Sequence, residues 1–220
     1  MSILITGANR GVGLALAELA ASQGKSVIGT YRGHARPPAP AIDWQSLNVT
    51  EPESHHALAA RLNGTPLSLL VCNAGVYLEK GQSLEEGYAK PLWDDTFAVN
   101  VTGVFLTIQA LLPHLRAGKG KIAIISSQMA SDTHAPGGSY IYRASKAAAL
   151  NLGRNLSADL KGEGIAVGIY HPGWVQTDMG GSGADITVEQ SAGGLMQRFQ
   201  ALSLATTGCF ETWNGTTHAF

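Results

Sequence analysis

Tyr142 and Lys146 stand four residues apart in the stretch Tyr142-Arg143-Ala144-Ser145-Lys146. On a helix this spacing puts phenol and amine on one face, one turn apart. A phenol, with a pKa of about 10, exchanges protons poorly at neutral pH, and a nearby ammonium favours the phenolate and lowers that value. The pair is a candidate proton carrier, expected to have its phenol pKa pulled down by the lysine. Alone, the same spacing would describe a tyrosine packing beside a snorkelling lysine.

Other positions point the same way. Ser126 and Ser127 close the apolar run Ile122-Ala123-Ile124-Ile125, and Asn73-Ala74-Gly75 follow the run that begins at Leu67. The carboxyl ends of strands are where open α/β sheets place their ligands. Asn100 falls inside a long helical pattern, where asparagine is a mediocre helix former, so its amide is expected to make a polar contact. Near the start, Thr6-Gly7-Ala8-Asn9-Arg10-Gly11-Val12-Gly13 links an apolar run to a helical pattern. Glycines at 7, 11 and 13 let the backbone turn sharply and approach a ligand, and the helix N-terminus offers N–H groups and partial positive charge to a pyrophosphate. The second apolar run ends Gly29-Thr30-Tyr31-Arg32, with no carboxylate to accept from a ribose 2′-hydroxyl. Arg10 and Arg32 instead suit a 2′-phosphate, whose geometry matches the guanidinium fork. NADP(H) is the expected cofactor.

Elements that must position these residues can be read from the pattern. Short apolar runs at Ile3–Thr6, Ser26–Tyr31, Ile42–Val49, Leu67–Asn73, Lys121–Ser126, Ile165–Tyr170 and Cys209–Trp213 predict strands. Helices are predicted over Gly11–Gln23, from Thr50 with Thr50 as cap, over Asp94–His114 with Pro113 at its end, and over Tyr140–Lys161 and Val188–Leu202. Alternation of buried strands with helices predicts a Rossmann-type, doubly wound parallel α/β sheet of about seven strands, with helices on both faces, formed by residues 1–220 as one domain. Residues 33–41 carry three prolines and no helical period, which predicts an extended crossover.

Composition limits the function classes. The chain has 220 residues, 15 Lys and Arg against 16 Asp and Glu, and a formal charge of −1. Near-neutral charge disfavours a phosphate-backbone binder, so no nucleic-acid partner is expected. Charged residues make up 14%, against a usual share of about 25%. A surface that plain is consistent with an oligomer. Two cysteines, Cys72 and Cys209, make no disulfide framework, and no metal site is expected. The opening residues carry no basic leader, and a cytoplasmic protein without membrane partners is expected. His55 and His56 are expected on a helix surface, and His171 is expected to be packed. Trp93, Trp174 and Met179 are candidates for an apolar pocket.

The combination resembles the short-chain dehydrogenase/reductase family along essentially the whole chain. The carriers are Thr6 to Gly13, Cys72-Asn73-Ala74-Gly75 with cysteine in place of the family's first asparagine, Asn100, Ser127, Tyr142 with Lys146, and Pro172-Gly173. Within the family, the wider spacing from Ser127 to Tyr142 and the stretch His171 to Gly181 resemble the C-factor or sniffer-type carbonyl reductase branch. The resemblance implies roles. Tyr142 would be the general acid in carbonyl reduction, and Ser127 would hold the substrate oxygen. Lys146 would bind the nicotinamide ribose, and Asn100 would position a water in a proton relay. Pro172, Gly173, Val175 and Thr177 would border the nicotinamide, and Asn48-Val49 would contact the adenine. Tyr140, six residues from Lys146, is a cleft-wall aromatic in this reading. Residues 179–187, shorter than the substrate lid of many relatives, predict a mobile loop, an open cleft and small aldehyde or ketone substrates, with the alcohol as product. The long helices implied at Asn100 and Tyr142 predict a homodimer or homotetramer. Two alternatives stay open: an NAD-dependent alcohol dehydrogenase, and a nucleotide-sensing or signalling protein without turnover.

Overall fold

In strand β1 (Ser2–Ile5), Leu4 joins one apolar cluster while Ile3 and Ile5 join another, because successive side chains of a strand face opposite sides. That alternation divides the protein, here a computed structural model describing residues 1–33 and 37–220, into two cores on either side of one sheet. The remaining strands are β2 (Ser26–Tyr31), β3 (Asp43–Ser46), β4 (Leu67–Cys72), β5 (Lys121–Ile125), β6 (Val167–His171) and β7 (Phe210–Thr212). All pairings between them are parallel, in the order β3-β2-β1-β4-β5-β6-β7.

The helices are α1 (Gly11–Ser22), α2 (Pro52–Leu62), α3 (Lys90–Phe97), α4 (Gly103–Gly118), α5 (Tyr140–Lys161) and α6 (Val188–Ala201). Leu16, Ala17 and Ala20 of α1 and Leu195, Met196 and Phe199 of α6 bury one face. Leu58 and Leu62 of α2, Ile108, Leu111 and Leu115 of α4 and Leu160 of α5 bury the other. Each such Leu or Ile taken out of water stabilises the fold by roughly 1.5–3 kcal/mol before the entropy of ordering it is subtracted. The helical stretch Lys90–Gly118 is long and apolar enough to cross a membrane by composition. Its apolar side here lies against the sheet, through Val104, Ile108, Leu111 and Leu115.

Three local expectations change. Thr50 is not the cap of α2: Glu51 precedes the helix without a side-chain cap bond, and the Thr50 hydroxyl donates to Asn48 Oδ1 at 3.0 Å. The third predicted helix begins at Lys90, not Asp94, and passes through a π-helical turn, Ala98–Thr102, between α3 and α4. It also runs past Pro113 to Gly118, so Pro113 lies inside a helix rather than at its end. His55 is buried, with Nε2 at 3.0 Å from the Val49 carbonyl, while His56 is exposed. The predicted crossover at 33–41 falls partly on residues 34–36, outside the described residues; beyond them, Ala39 donates to the Pro37 carbonyl and Ile42 to that of Ala39, without a helix.

At the end of β6, His171 is buried and its Nδ1 has no hydrogen-bond partner. Burial, with His218 nearby, pushes its pKa down from 6.5 to about 4. Below the ordinary value the unfolded chain takes up a proton that the fold refuses until about pH 4, so stability is lost as pH falls through that window. Chemical denaturation at pH 7 and pH 4 should show His171→Gln losing about 2–3 kcal/mol less than the parent. Equal losses would mean that His171 is not held neutral.

Candidate active site

The order of the strands reverses between β1 and β4, so their carboxyl ends open a crevice. On its floor, Asn73 does not point outward. Its Nδ2 donates to the carbonyls of Thr6 and Gly7 at 3.0 and 3.1 Å, and its backbone N–H donates to Thr6 Oγ1 at 3.0 Å. The glycine loop is thereby tied to the end of β4. Gly7 and Gly11 have φ of 61° and 55°, the left-handed region that favours glycine. A Cβ on Gly13 would lie 2.4 Å from both Asn73 Nδ2 and the Gly7 carbonyl. Ahead of α1, Arg10 makes no side-chain cap bond, and Gly11, Val12 and Gly13 put no acid in the first turn. Uncapped N–H groups, left-handed glycines and an acid-free turn fit a dinucleotide pyrophosphate.

Around that loop the predicted cofactor contacts are only partly assembled. Asn9 and Val12 are half-buried. Arg10 pairs instead with Asp178 at 2.9 Å, both side chains largely exposed. Tyr31 packs edge-on to Trp44, and Arg32 is exposed. The Asn48 amide oxygen accepts from the N–H and hydroxyl of Thr50, and Val49 is buried. On the far side, Gly173 has φ of 92°, Pro172 accepts from the Ser191 hydroxyl at 2.6 Å, and Val175 is buried. Thr177 sits over the loop, its methyl 3.4 Å from where a Gly11 Cβ would be.

Deeper in the crevice, Asn100 occupies the π-helical turn. Its Oδ1 accepts from Val76 N at 2.9 Å, and its Nδ2 donates to the Val76 carbonyl at 2.9 Å and to Ser145 Oγ at 3.0 Å. The amide thus joins the loop after β4 to α5, which is the polar contact its position predicted. A Cβ at Gly75 would lie 3.3 Å from Asn100 Oδ1 and 3.4 Å from Lys146 Nζ, so Ala74-Gly75 bring these two groups together. Lys146 is buried and donates to the Ile125 carbonyl at 3.0 Å. The Ser126 hydroxyl donates to the Lys146 carbonyl at 2.9 Å. Ser127 lies one residue on, and its Oγ caps the short turn Gln128–Ala130 by accepting from Met129 N at 3.1 Å.

Electrostatics reverse one expectation. Lys146 Nζ stands 5.6 Å from the centre of the Tyr142 ring, but the phenol pKa is not lowered. Burial pushes it up to about 12; Ser127 opposes the rise, and Tyr77 and Glu79 reinforce it. Burial also pushes Lys146 down to about 8. Desolvation disfavours the charged form of both groups, so the phenol holds its proton more tightly than it does in water.

Sequence reasoning missed several neighbours. Tyr77 stacks on Tyr142 with ring centres 4.5 Å apart, and buried Glu79 accepts from Tyr142 N at 2.6 Å. No motif marks either residue. Tyr140 is exposed and meets Tyr88 edge-on. Trp174 and Met179 are exposed, and Trp93 is half-buried and stacks on Phe97. The segment predicted as a mobile loop is tied at both ends: Lys80 donates to the Met179 carbonyl, and Ile186 exchanges backbone bonds with Trp174 and Gln176.

Known proteins resemble this chain in sequence and in fold. The sequence model of the family described as short chain dehydrogenase matches residues 1–185. The C-signal of Myxococcus xanthus is 35% identical over 73% of this chain and 96% of its own length. An NADPH-bound carbonyl reductase from chicken fatty liver superposes with a TM-score of 0.88 at 31% identity, covering 100% of this chain and 98% of that one. The carbonyl reductase Sniffer of D. melanogaster gives a TM-score of 0.90 at 28% identity, covering 100% and 99%.

The glycine loop yields a stability test. Gly13→Ala forces a Cβ against a backbone carbonyl that cannot retreat without moving β1, and should cost about 1–3 kcal/mol in urea denaturation. An unchanged midpoint would show that the loop relaxes freely.

Proposed function

The chain belongs to the short-chain dehydrogenase family of oxidoreductases, and from that premise we propose that it is an NADPH-dependent reductase of small aldehydes and ketones. One observation supports this reading above the others: a phenol that keeps its proton, under the influence of Ser127 and one helical turn from a buried lysine. A proton donor for a carbonyl must hold its proton until negative charge grows on the oxygen.

NADPH, when bound, supplies the hydride. The residues of this chain do the rest. Gly7, Asn9, Gly11, Val12 and Gly13 cradle the pyrophosphate, and Tyr31, Arg32, Asn48 and Val49 border the adenosine half. Asn73, Ala74, Gly75, Pro172, Gly173, Val175 and Thr177 hold the nicotinamide half. Ser127 donates to the substrate oxygen, and Tyr142 releases its proton to that oxygen as the alcohol forms. Lys146 holds the ribose and stabilises the phenolate left behind. Asn100 keeps the main chain around Val76 in place and leads the replacement proton toward Lys146.

Charge at the adenosine end favours the phosphorylated cofactor. Arg10 is held by Asp178 in an exposed pair, worth about 0–1 kcal/mol. A 2′-phosphate, with a second negative charge and bidentate geometry, wins that competition. The NADPH named for the chicken carbonyl reductase agrees. We read residues 1–220 as one cytoplasmic dinucleotide-binding domain with its substrate loop at 179–187, assembled as a homodimer or homotetramer. The likeness to C-signal supports a second reading, in which a signalling effect survives without turnover.

Absorbance-monitored NADPH oxidation with a panel of aldehydes and ketones tests the proposal. Tyr142→Phe should lower kcat by about 10²–10⁴-fold with little change in cofactor affinity. If the variant turns over as well as the parent, Tyr142 is not the acid. Removing both Arg10 and Arg32 as alanines should weaken NADPH at least about tenfold and leave NADH unaffected, since a charge-assisted bond contributes about 1.5–3 kcal/mol. An unaltered preference would sink the 2′-phosphate assignment.

A further inference from the structure

Helix α5 begins without an ordinary cap. Ser139 occupies the capping position, but its φ of 52° is left-handed, not extended, and its side chain makes no bond to the helix. Its Oγ is engaged by the Tyr77 hydroxyl instead. A cap side chain normally accepts from the N–H of the second or third helical residue. Here that acceptor comes from elsewhere in the chain: Glu79 Oε1 takes the N–H of Tyr142, the third residue of α5, at 2.6 Å. Residues 77 and 79, on the loop after β4, thus replace the local cap. One grips the backbone of Tyr142 and the other its ring, since the Tyr77 ring lies 4.5 Å from the Tyr142 ring in a stacked arrangement.

Glu79 is an unusual cap. Its exposure is 1%, and its Oε2 has no hydrogen-bond partner. Among the described residues no cation forms an ion pair with it. Its charge bears on Tyr88 and on Tyr142. The basic side chains next in sequence, and Lys146 on α5, bond elsewhere: Lys80 donates to the Met179 carbonyl, Arg143 to the His134 carbonyl and Lys146 to the Ile125 carbonyl. A buried carboxylate with one oxygen unused is costly unless its charge is stabilised, and the positive end of α5 offers that stabilisation. Its charge therefore acts at short range, little screened, on the residue whose amide it grips.

We infer that Glu79 is a positioning residue for Tyr142: its carboxylate caps α5 through the tyrosine's own amide, fixes where the phenol stands, and sets a negative charge beside it. The inference rests on the proposed role of Tyr142 as proton donor. Its two parts separate by substitution. Glu79→Gln keeps an acceptor oxygen at the same reach and removes the charge. Glu79→Asp keeps the charge and withdraws the oxygen by one methylene.

The test follows the tyrosinate absorbance of Tyr142 in the NADP⁺ complex, as the difference between each protein and the same protein carrying Tyr142→Phe. Glu79→Gln should lower the titration midpoint by about one pH unit, a tenfold change in the proton equilibrium. Glu79→Asp should leave the midpoint in place but lower kcat for aldehyde reduction severalfold with the KM for NADPH unchanged. A purely structural cap would not move the midpoint, so coincidence of the Gln and parent midpoints overturns the charge role. An unaltered kcat in Glu79→Asp overturns the positioning role, and this arm stands if the Gln variant does not fold. Absence of turnover in the parent would instead reject the reductase reading, while the titration, which needs no substrate, still decides the effect of Glu79.

Discussion

The site depends on the desolvation of one helical turn. Tyr142 and Lys146 are both buried on the same face of α5, and burial disfavours charge on each. The phenol is driven toward its neutral form, and so is the amine. What remains is a protonated phenol whose proton is available to a base stronger than water, such as an oxygen gaining an electron pair.

Holding that turn in place is the task of side chains bonded to main chain. Asn100 bonds both backbone groups of Val76 and reaches Ser145; Asn73 bonds two carbonyls of the glycine loop; the Ser126 hydroxyl bonds the Lys146 carbonyl, and the Lys146 amine bonds that of Ile125. Each of these satisfies polar backbone where a strand ends and the ladder no longer can. The crevice at the sheet's switch point is therefore rigid where chemistry is proposed. At its rim, exposed pairs such as Arg10 with Asp178 contribute little and can exchange partners.

The π-helical turn at Ala98–Thr102 belongs to the same logic. An uninterrupted α-helix from Lys90 to Gly118 would give Asn100 a different rotation about the axis. The wider turn sets the amide against Val76, and such turns occur frequently where a side chain has a role. The two carbonyl reductases superpose on the whole of this chain at identities near 30%.

Much of this was legible in the order of residues. Alternating apolar runs and helical patterns determine the parallel sheet, because each buried strand must be apolar on both faces, and Ile3, Leu4 and Ile5 already say so. Tyr142 and Lys146 at four-residue spacing determine that phenol and amine share a face, and the Thr6–Gly13 stretch determines a loop that only glycine can close. The fold alone decided the sign of the phenol's pKa shift, since burial is a sum over neighbours far apart in the chain and no spacing encodes it. It alone brought Tyr77 and Glu79 to the start of α5, across more than sixty residues, where an unusual backbone at Ser139 left an amide to be taken. Local periodicity is written in the chain because it follows from backbone geometry; solvent exclusion and caps borrowed from distant loops are not, because they exist only once the chain has closed on itself.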